Sequence, residues 1–180
     1  MKSKTFIGIL FIITFVGLCS SCFSQKKDSR KEINSANLTY NDINFYYKDN
    51  SFNFISDHLD DILAVFGKPL KIEELGGNEN GPIARSMFSG ISVEYYSNSG
   101  ILREITIEKS DLSIINGFTI GDKRKDIEKY LINGIYYQAD KSYLFFHMNE
   151  DQESGTGYQI FYDDKDNVQK IVISVIPLAI

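Results

Sequence analysis

Residues 53–67 read NFISDHLDDILAVFG and residues 118–132 read FTIGDKRKDIEKYLI, two stretches that align without gaps at an offset of 65. The positions that they share are Ile55/Ile120, Asp57/Asp122, Asp61/Asp126 and Ile62/Ile127. In each stretch an aspartate, Asp57 or Asp122, stands where it can cap a helix, and apolar residues follow at helical spacing. Gly67 then ends the first apolar stripe. The pattern predicts one short helix in each stretch.

A second pair of stretches predicts a β-hairpin after each helix. Residues 93–107 read VEYYSNSGILREITI and residues 159–173 read QIFYDDKDNVQKIVI, now at an offset of 66. Turn-forming residues lie at 97–100 and 163–167, and the strands that follow them alternate in polarity. Such alternation is typical of antiparallel strands with one buried face. Two separate stretches with nearly the same spacing indicate a tandem duplication of about 65 residues.

These units predict an α+β fold class. We expect two tandem helix-plus-antiparallel-strand units that form one curved antiparallel sheet, with the helices on one face. The single domain covers residues 38–180, with repeats at about 52–109 and 117–175. The glycine-rich segment Leu75–Pro82 is predicted to be a loop, because it follows no strong strand and lacks the residues of a phosphate-binding loop.

The residues around the predicted helices resemble those of a known fold. Ile120-Gly121-Asp122 precedes the second helix, Asp61-Ile62 and Asp126-Ile127 lie inside the two helices, and Phe66-Gly67-Lys68-Pro69 ends the first. In this order the chain resembles the beta-lactamase-inhibitor-protein-like tandem-repeat fold, and it is similar to small outer-membrane assembly lipoproteins. Gly90-Ile91-Ser92-Val93 is similar to a strand of uncharacterised bacterial exported proteins, which implies no function. The first resemblances imply binding to other proteins through the open face of the sheet.

The first 24 residues, MKSKTFIGILFIITFVGLCSSCFS, have the layout of a secretory signal. Two lysines precede an apolar run that is short for a membrane span, and small residues follow it. In one alternative, Cys22 becomes the lipid-modified first residue of a membrane-anchored lipoprotein of the cell envelope. In another, cleavage after Ser24 leaves a periplasmic or secreted protein, and an uncleaved membrane anchor is a third. Residues 25–37 are polar and predict a flexible tether.

Charge and cysteine content narrow the range of partners. Without Lys2 and Lys4, 17 basic and 24 acidic residues remain, a formal charge of −7. This argues against nucleic acid and anionic headgroups as partners, so we expect no nucleic acid and membrane contact only through a lipid anchor. No cysteine follows Cys22, so packing alone must stabilise the exported domain.

Aromatic doublets are the best functional signal in the chain. They are Tyr46-Tyr47, Tyr95-Tyr96, Tyr136-Tyr137 and Phe145-Phe146. Adjacent strand residues point to opposite faces, so each doublet sends one ring toward the helices and one away from them. If the far face is open, it displays aromatic rings, which is typical of a partner site. We therefore take Tyr46, Tyr47, Tyr95, Tyr96, Tyr136 and Tyr137 as candidate partner-binding residues. The alternatives are that the N-terminal strand or a second layer covers that face, or that the tyrosines lie flat on a solvated sheet.

Other candidate chemistry has simpler interpretations. The turn Asp163–Asn167 offers oxygen ligands for calcium, but aspartate and asparagine are also the ordinary residues of a hairpin turn. His58 and His147 have no second histidine or cysteine near them in sequence and are expected at the surface. We therefore predict no catalytic residues, no cofactor and no metal site.

The combined prediction is a non-enzymatic cell-envelope protein, a lipoprotein attached at Cys22, that binds a protein partner of unknown identity through the open, aromatic-bearing sheet face. An inhibitor or toxin-neutralising protein is the alternative, since the acidic balance and the resemblance both suit it. An enzyme that modifies envelope polymers is the second alternative, and it requires a concave pocket with converging polar groups.

Overall fold

A computed structural model describes residues 30–148 and 154–177 of the chain. Within these ranges thirteen strands and two α-helices follow one another. The strands are β1 (Ile33–Asn34), β2 (Asn44–Tyr47), β3 (Asn50–Asn53), β4 (Lys71–Asn78), β5 (Gly81–Phe88), β6 (Ile91–Tyr96), β7 (Leu102–Ile107), β8 (Leu112–Ile114), β9 (Leu131–Ile132), β10 (Ile135–Tyr137), β11 (Ser142–Met148), β12 (Ser154–Tyr162) and β13 (Val168–Pro177). The helices are α1 (Leu59–Phe66) and α2 (Arg124–Tyr130), and short 3-10 turns lie at Ser35–Asn37, Tyr40–Asp42 and Ile115–Gly117.

Eight of the strands form one antiparallel sheet in the order β10-β11-β12-β13-β7-β6-β5-β4. Strands β4 to β7 make one meander and β10 to β13 another, and the two meet where β7 pairs with β13. There Ile105 lies opposite Ile173, and Ile107 lies opposite Ile171. A second sheet has the order β3-β2-β8, and β1 pairs in parallel with β9. The hairpin turns predicted at 97–100 and 163–167 are confirmed, since they connect β6 to β7 and β12 to β13.

The predicted α+β class is wrong. The described part of the chain is 53% strand and 17% helical, and it has one large eight-stranded sheet in place of two helix-plus-strand units. The helices are correspondingly short, with eight residues in α1 and seven in α2. The loop predicted at Leu75–Pro82 is also wrong, because these residues belong to the β4–β5 hairpin. β4 is exposed at nearly every position, so no apolar alternation marks it in the sequence.

The hydrophobic core lies on one face of the large sheet, under the helices and the three-stranded sheet. Ile62 of α1 and Ile127 of α2 are both fully buried in it. Phe45 of β2 stacks on Phe52 of β3, with ring centroids 4.7 Å apart. Each helix therefore contributes one apolar stripe to a core whose remaining walls are strands, so burial against the sheet stabilises helices that are too short to persist alone.

The helix caps differ from the prediction by one residue. His58 is the N-cap of α1, and its N–H donates to the Asp61 carboxylate at 2.8 Å. Asp57 instead accepts the N–H of Asn53 at 2.8 Å and so closes the preceding turn. Asp122 likewise accepts a backbone N–H from three residues before it. Both aspartates thus hold the chain that leads into a helix rather than capping it.

Part of the predicted tether is attached to the domain. The Arg30 guanidinium lies 3.0 Å from the Asp122 carboxylate and 4.2 Å above the ring of Phe118, and β1 pairs with β9. Residues 30–37 are therefore held against the fold. The signal segment, residues 25–29 and Cys22 lie outside the described residues. Neither α1 nor α2 is long and apolar enough to cross a bilayer.

Candidate functional site

The large sheet has a second face, which we call the outer face, on the side away from the helices. On β6, Ile91 and Val93 are buried in the core, so strand alternation directs Ser92, Glu94 and Tyr96 to the opposite side. Residues that pair across two neighbouring strands point to the same face, so the pairing register shows which side chains of β5 and β7 lie on the outer face. Most side chains on the outer face are half-buried or exposed, but Ser142, Leu144 and Val172 are buried.

Three of the six candidate tyrosines point into the core side of the structure. Tyr47 stacks on Phe66 with ring centroids 4.6 Å apart. Tyr95 is only 7% exposed. Tyr136 packs against the core, and the guanidinium carbon of Arg124 lies 3.7 Å from its ring centroid. These three side chains stabilise the fold and are poorly placed to meet a partner.

The other three candidate tyrosines point away from the core but do not form one row. Tyr46 lies on the three-stranded sheet, where it pairs with Ser51 and Ser113. Tyr96 and Tyr137 share the outer face, Tyr96 on β6 and Tyr137 on β10. Five strand spacings separate these two strands, about 24 Å at the usual spacing. The doublets therefore split as expected on their strands, but they do not converge on a single aromatic site.

A different aromatic cluster does form on the outer face, over strands β10 to β13. Phe161 of β12 pairs with Ser142 of β11, which in turn pairs with Tyr137 of β10. The Lys170 ammonium lies 4.1 Å from the Phe161 ring centroid, within the range of a cation–π contact. We call this part of the outer face the aromatic half; its apolar members are Ile135, Tyr137, Leu144, Phe146, Phe161 and Val172.

Two glycines on β12 make room for one ring of the aromatic half. Gly155 and Gly157 lie on the same face as Phe146 and beside it in the register. A Cβ atom at Gly155 would lie 2.3 Å from Cδ2 of Phe146, far inside van der Waals contact. The Phe146 ring therefore lies flat over β12, in space that any larger residue at Gly155 would occupy.

Strands β4 to β7 carry a second cluster, which we call the charged half of the outer face. Arg85 of β5 lies at its centre. Its Nε donates to Oε1 of Glu94 at 3.0 Å, and its Nη1 lies 3.7 Å from Oε2 of Glu73. Glu73 also bonds the Lys71 ammonium at 2.5 Å. Glu104 stands directly opposite Glu94 in the β6–β7 register. Two carboxylates, Glu73 and Glu94, thus flank one guanidinium, and Glu104 lies one strand beyond Glu94.

Glu104 is a partly buried carboxyl in the charged half. Burial raises the pKa of this carboxyl, and the neighbouring Glu94 carboxylate raises it further. Thr106 donates to Oε1 of Glu104 at 3.3 Å. Beside these groups lies a shallow cavity of about 360 Å³, whose lining includes Met87, Glu104, Thr106 and Lys170. The cavity joins the two halves of the outer face and offers a carboxyl and an ammonium to a bound group.

Sequence reasoning missed the residues that form these clusters. Phe161 and Tyr162 are also an aromatic doublet, and the same criterion could have found them. Arg85, Glu94 and Glu104 carried no signal, because their proximity arises from cross-strand pairing and not from spacing along the chain.

The acidic turn and the histidines have structural roles. The Asp163 carboxylate accepts the backbone N–H groups of Lys165 and Asn167, each at 2.8 Å, so it closes the β12–β13 turn. His147 makes an edge contact with Tyr40, with ring centroids 4.6 Å apart, and His58 begins α1 at the surface. In the two described ranges no group of three histidine, cysteine or acidic residues is placed to hold a metal ion.

Comparisons with known proteins assign the chain to no family. No protein-family profile matches the sequence, and no curated protein matches it either. A DUF4309 family protein from Bacillus subtilis is structurally similar with a TM-score of 0.35 and 9% identity, over 66% of this chain and 78% of that one. A cysteine-rich secretory protein from Staphylococcus aureus has a TM-score of 0.44 and 10% identity, over 81% of this chain and 50% of that one. These likenesses are too low to bear on function.

Proposed function

We propose that this chain is a non-enzymatic protein of the cell envelope that binds a protein partner through the outer face of its large sheet. In this proposal a lipid on Cys22 anchors the chain. The observation that supports binding is the aromatic half, a group of apolar side chains on the sheet face opposite the core. Tyr137 is 45% exposed and Ile135 is 44% exposed, so a partner can reach both side chains, whereas Leu144 and Val172 are buried beneath their neighbours.

The layout of the outer face matches the anatomy of a protein interface. Such interfaces are enriched in tyrosine, phenylalanine and arginine at their centre and have a polar rim. The aromatic half would supply the apolar centre, and the adjoining charged half, with Arg85 and its carboxylates, would supply polar contacts. Charged groups of this kind favour one partner over others by matching its charge pattern. The predicted Tyr96 lies in the charged half and Tyr137 in the aromatic half, so both remain candidate contacts.

The test is site-specific capture of the partner in intact envelopes. A photo-crosslinking residue at position 137 is expected to trap a discrete protein, and one at position 46 is not, because Tyr46 lies on the other sheet. Tyr137→Glu is expected to weaken binding of the trapped partner at least about tenfold, as for a central contact. Tyr46→Glu is the matched control and is expected to bind normally. The intact mass of the mature chain tests the anchor: a diacylated Cys22 supports it, and a free Gln25 contradicts it.

Two results would overturn the binding proposal. One is equal capture at positions 137 and 46. The other is a partner that still binds the Tyr137→Glu variant with unchanged affinity while circular dichroism shows that the variant is folded.

A further inference from the structure

β4 is an edge strand of the large sheet with an exposed apolar row. It pairs with β5 on one side, and within the described residues no strand pairs with its other side. Leu70 just before the strand is 79% exposed and Ile72 is 57% exposed. An edge of this kind presents free backbone N–H and C=O groups together with apolar side chains, which is the surface that a further strand adds to.

The residues of β4 are complementary to β4 itself. Two identical antiparallel strands in one sheet are related by a twofold axis perpendicular to the sheet, which keeps each residue on its own face. The axis must therefore lie midway between one residue and its own copy, because paired residues share a face and faces alternate along the strand. Centring on Lys71, Glu73 or Glu74 would place like charges opposite each other. Centring on Ile72 places it opposite its own copy and places Lys71 opposite Glu73 of the second copy.

We propose that β4 pairs antiparallel with β4 of a second copy of this chain, centred on Ile72. Leu70 and Ile72 share one face, so each copy's Leu70 would lie diagonally across from the other copy's Ile72, within reach of an apolar contact. The pairing covers residues 70–74 and ends where the β4–β5 ladder shifts register between Glu74 and Gly76. It joins the two large sheets edge to edge.

The charges on the outer side of β4 are already placed for this pairing. Lys71 and Glu73 lie on the same face and bond each other at 2.5 Å within the chain. In the paired edge the two lysines and two glutamates alternate around the axis, so each charge has two neighbours of opposite sign. A lysine on an edge strand ordinarily discourages strand addition. Here Glu73 of the second copy would offset it, which favours a second copy over an unrelated apolar strand.

The inference concerns the sheet edge and does not depend on the partner-binding proposal. Its test is the oligomeric state of the full chain, measured by analytical ultracentrifugation in one detergent over a dilution series. We expect a dimer for the native chain. Lys71→Glu and Glu73→Lys each place like charges opposite each other twice, and each is expected to raise the dimer dissociation constant about tenfold or more. The double variant Lys71→Glu/Glu73→Lys restores opposite charges and is expected to restore the dimer.

Glu79→Lys is the matched control, because it makes the same charge change in the turn of the same hairpin, outside residues 70–74. It is expected to leave the dimer unchanged. A monomeric native chain would overturn the proposal, and so would a dimer that both single variants retain. Failure of the double variant to recover, with far-ultraviolet circular dichroism showing that it is folded, would overturn the register. None of these results affects the Tyr137 test, so the two proposals fail separately.

Discussion

Two buried tyrosines on β12, Tyr158 and Tyr162, differ in whether their hydroxyl is hydrogen-bonded, so the substitution of tyrosine by phenylalanine can be compared at the two positions. Tyr158 is fully buried, and its hydroxyl accepts the N–H of Asn44 at 2.8 Å. The same hydroxyl lies 2.9 Å from the carbonyl oxygens of Asp42 and Asn44 and donates its one hydrogen to them. Tyr158 therefore ties the start of β2 to the large sheet. We expect Tyr158→Phe to destabilise the protein.

Tyr162, four residues further along β12, is 1% exposed. Its hydroxyl is buried and has no hydrogen-bond partner among the described residues. Burial raises the pKa of both phenols, so both are neutral at ordinary pH. Tyr162→Phe is thus the matched control, because it removes the same atom from the same strand and breaks no hydrogen bond.

The expected magnitudes follow from these contacts. Tyr158→Phe loses the bonds of one hydroxyl, each worth about 1 kcal/mol net, and leaves the N–H of Asn44 without its acceptor. Since Asn44 is half-buried, water can reach part of it, and we expect a loss of about 2 kcal/mol in the free energy of unfolding. Tyr162→Phe removes a desolvated polar atom, so we expect no loss and a gain of up to about 1 kcal/mol.

Urea unfolding followed by circular dichroism measures both changes. With a slope of about 2 kcal/mol per molar urea, the Tyr158→Phe midpoint is expected to fall by about 1 M, while the Tyr162→Phe midpoint stays or rises. Equal losses in the two variants would refute the reasoning, because the loss would then come from packing of the ring edge. A larger loss for Tyr162→Phe would refute the assignment of the hydrogen bonds.

Two further predictions concern the outer face and its strands. Gly157→Ala is expected to cost about 3 kcal/mol or more in thermal or urea unfolding, because its Cβ would lie 2.3 Å from the Phe145 carbonyl oxygen. Gly121→Ala adds a Cβ with no neighbour within 4 Å at a positive φ of 94°, so it is expected to cost only the backbone strain of about 1–2 kcal/mol. Equal costs for the two variants would contradict the clash. Glu104→Gln is expected to stabilise the protein at neutral pH. Because the raised pKa of Glu104 means that the folded state holds this proton more tightly, native stability falls as the pH rises from below the ordinary glutamate range through the raised pKa. The gain of Glu104→Gln should therefore be full above that pKa and vanish in acid, and a pH-independent difference in unfolding midpoints would contradict it.

Local features of the fold were predictable from the sequence, whereas its long-range pairings were not. Hairpin turns such as 163–167 depend on residues next to each other, and the alternation that places Tyr95 inside and Tyr96 outside is a property of one strand. The predicted fold class was wrong because the two helical stripes are clear in the sequence, whereas exposed strands such as β4 have no apolar alternation that marks them. Which strands become neighbours depends on residues far apart in the chain. The spacing of residues along the sequence therefore could not predict that Arg85 contacts Glu94, or that Tyr96 and Tyr137 lie far apart.

The two proposals place two different surfaces on one sheet, and their geometry makes them compatible. β4 forms one edge, and the aromatic half lies over β10 to β13 at the far end of the strand order. A twofold axis perpendicular to the sheet, midway between the two copies of Ile72, would keep both aromatic halves on the same side of the joined sheet. The centre of each aromatic half lies about five strand spacings from β4, so the two would be separated by tens of ångströms, on the order of 50 Å before twist is counted. Two identical sites that face one way suit a partner presented in several copies, because the second binding event is then intramolecular. Edge pairing would thus raise the avidity of the outer face without adding a contact to it.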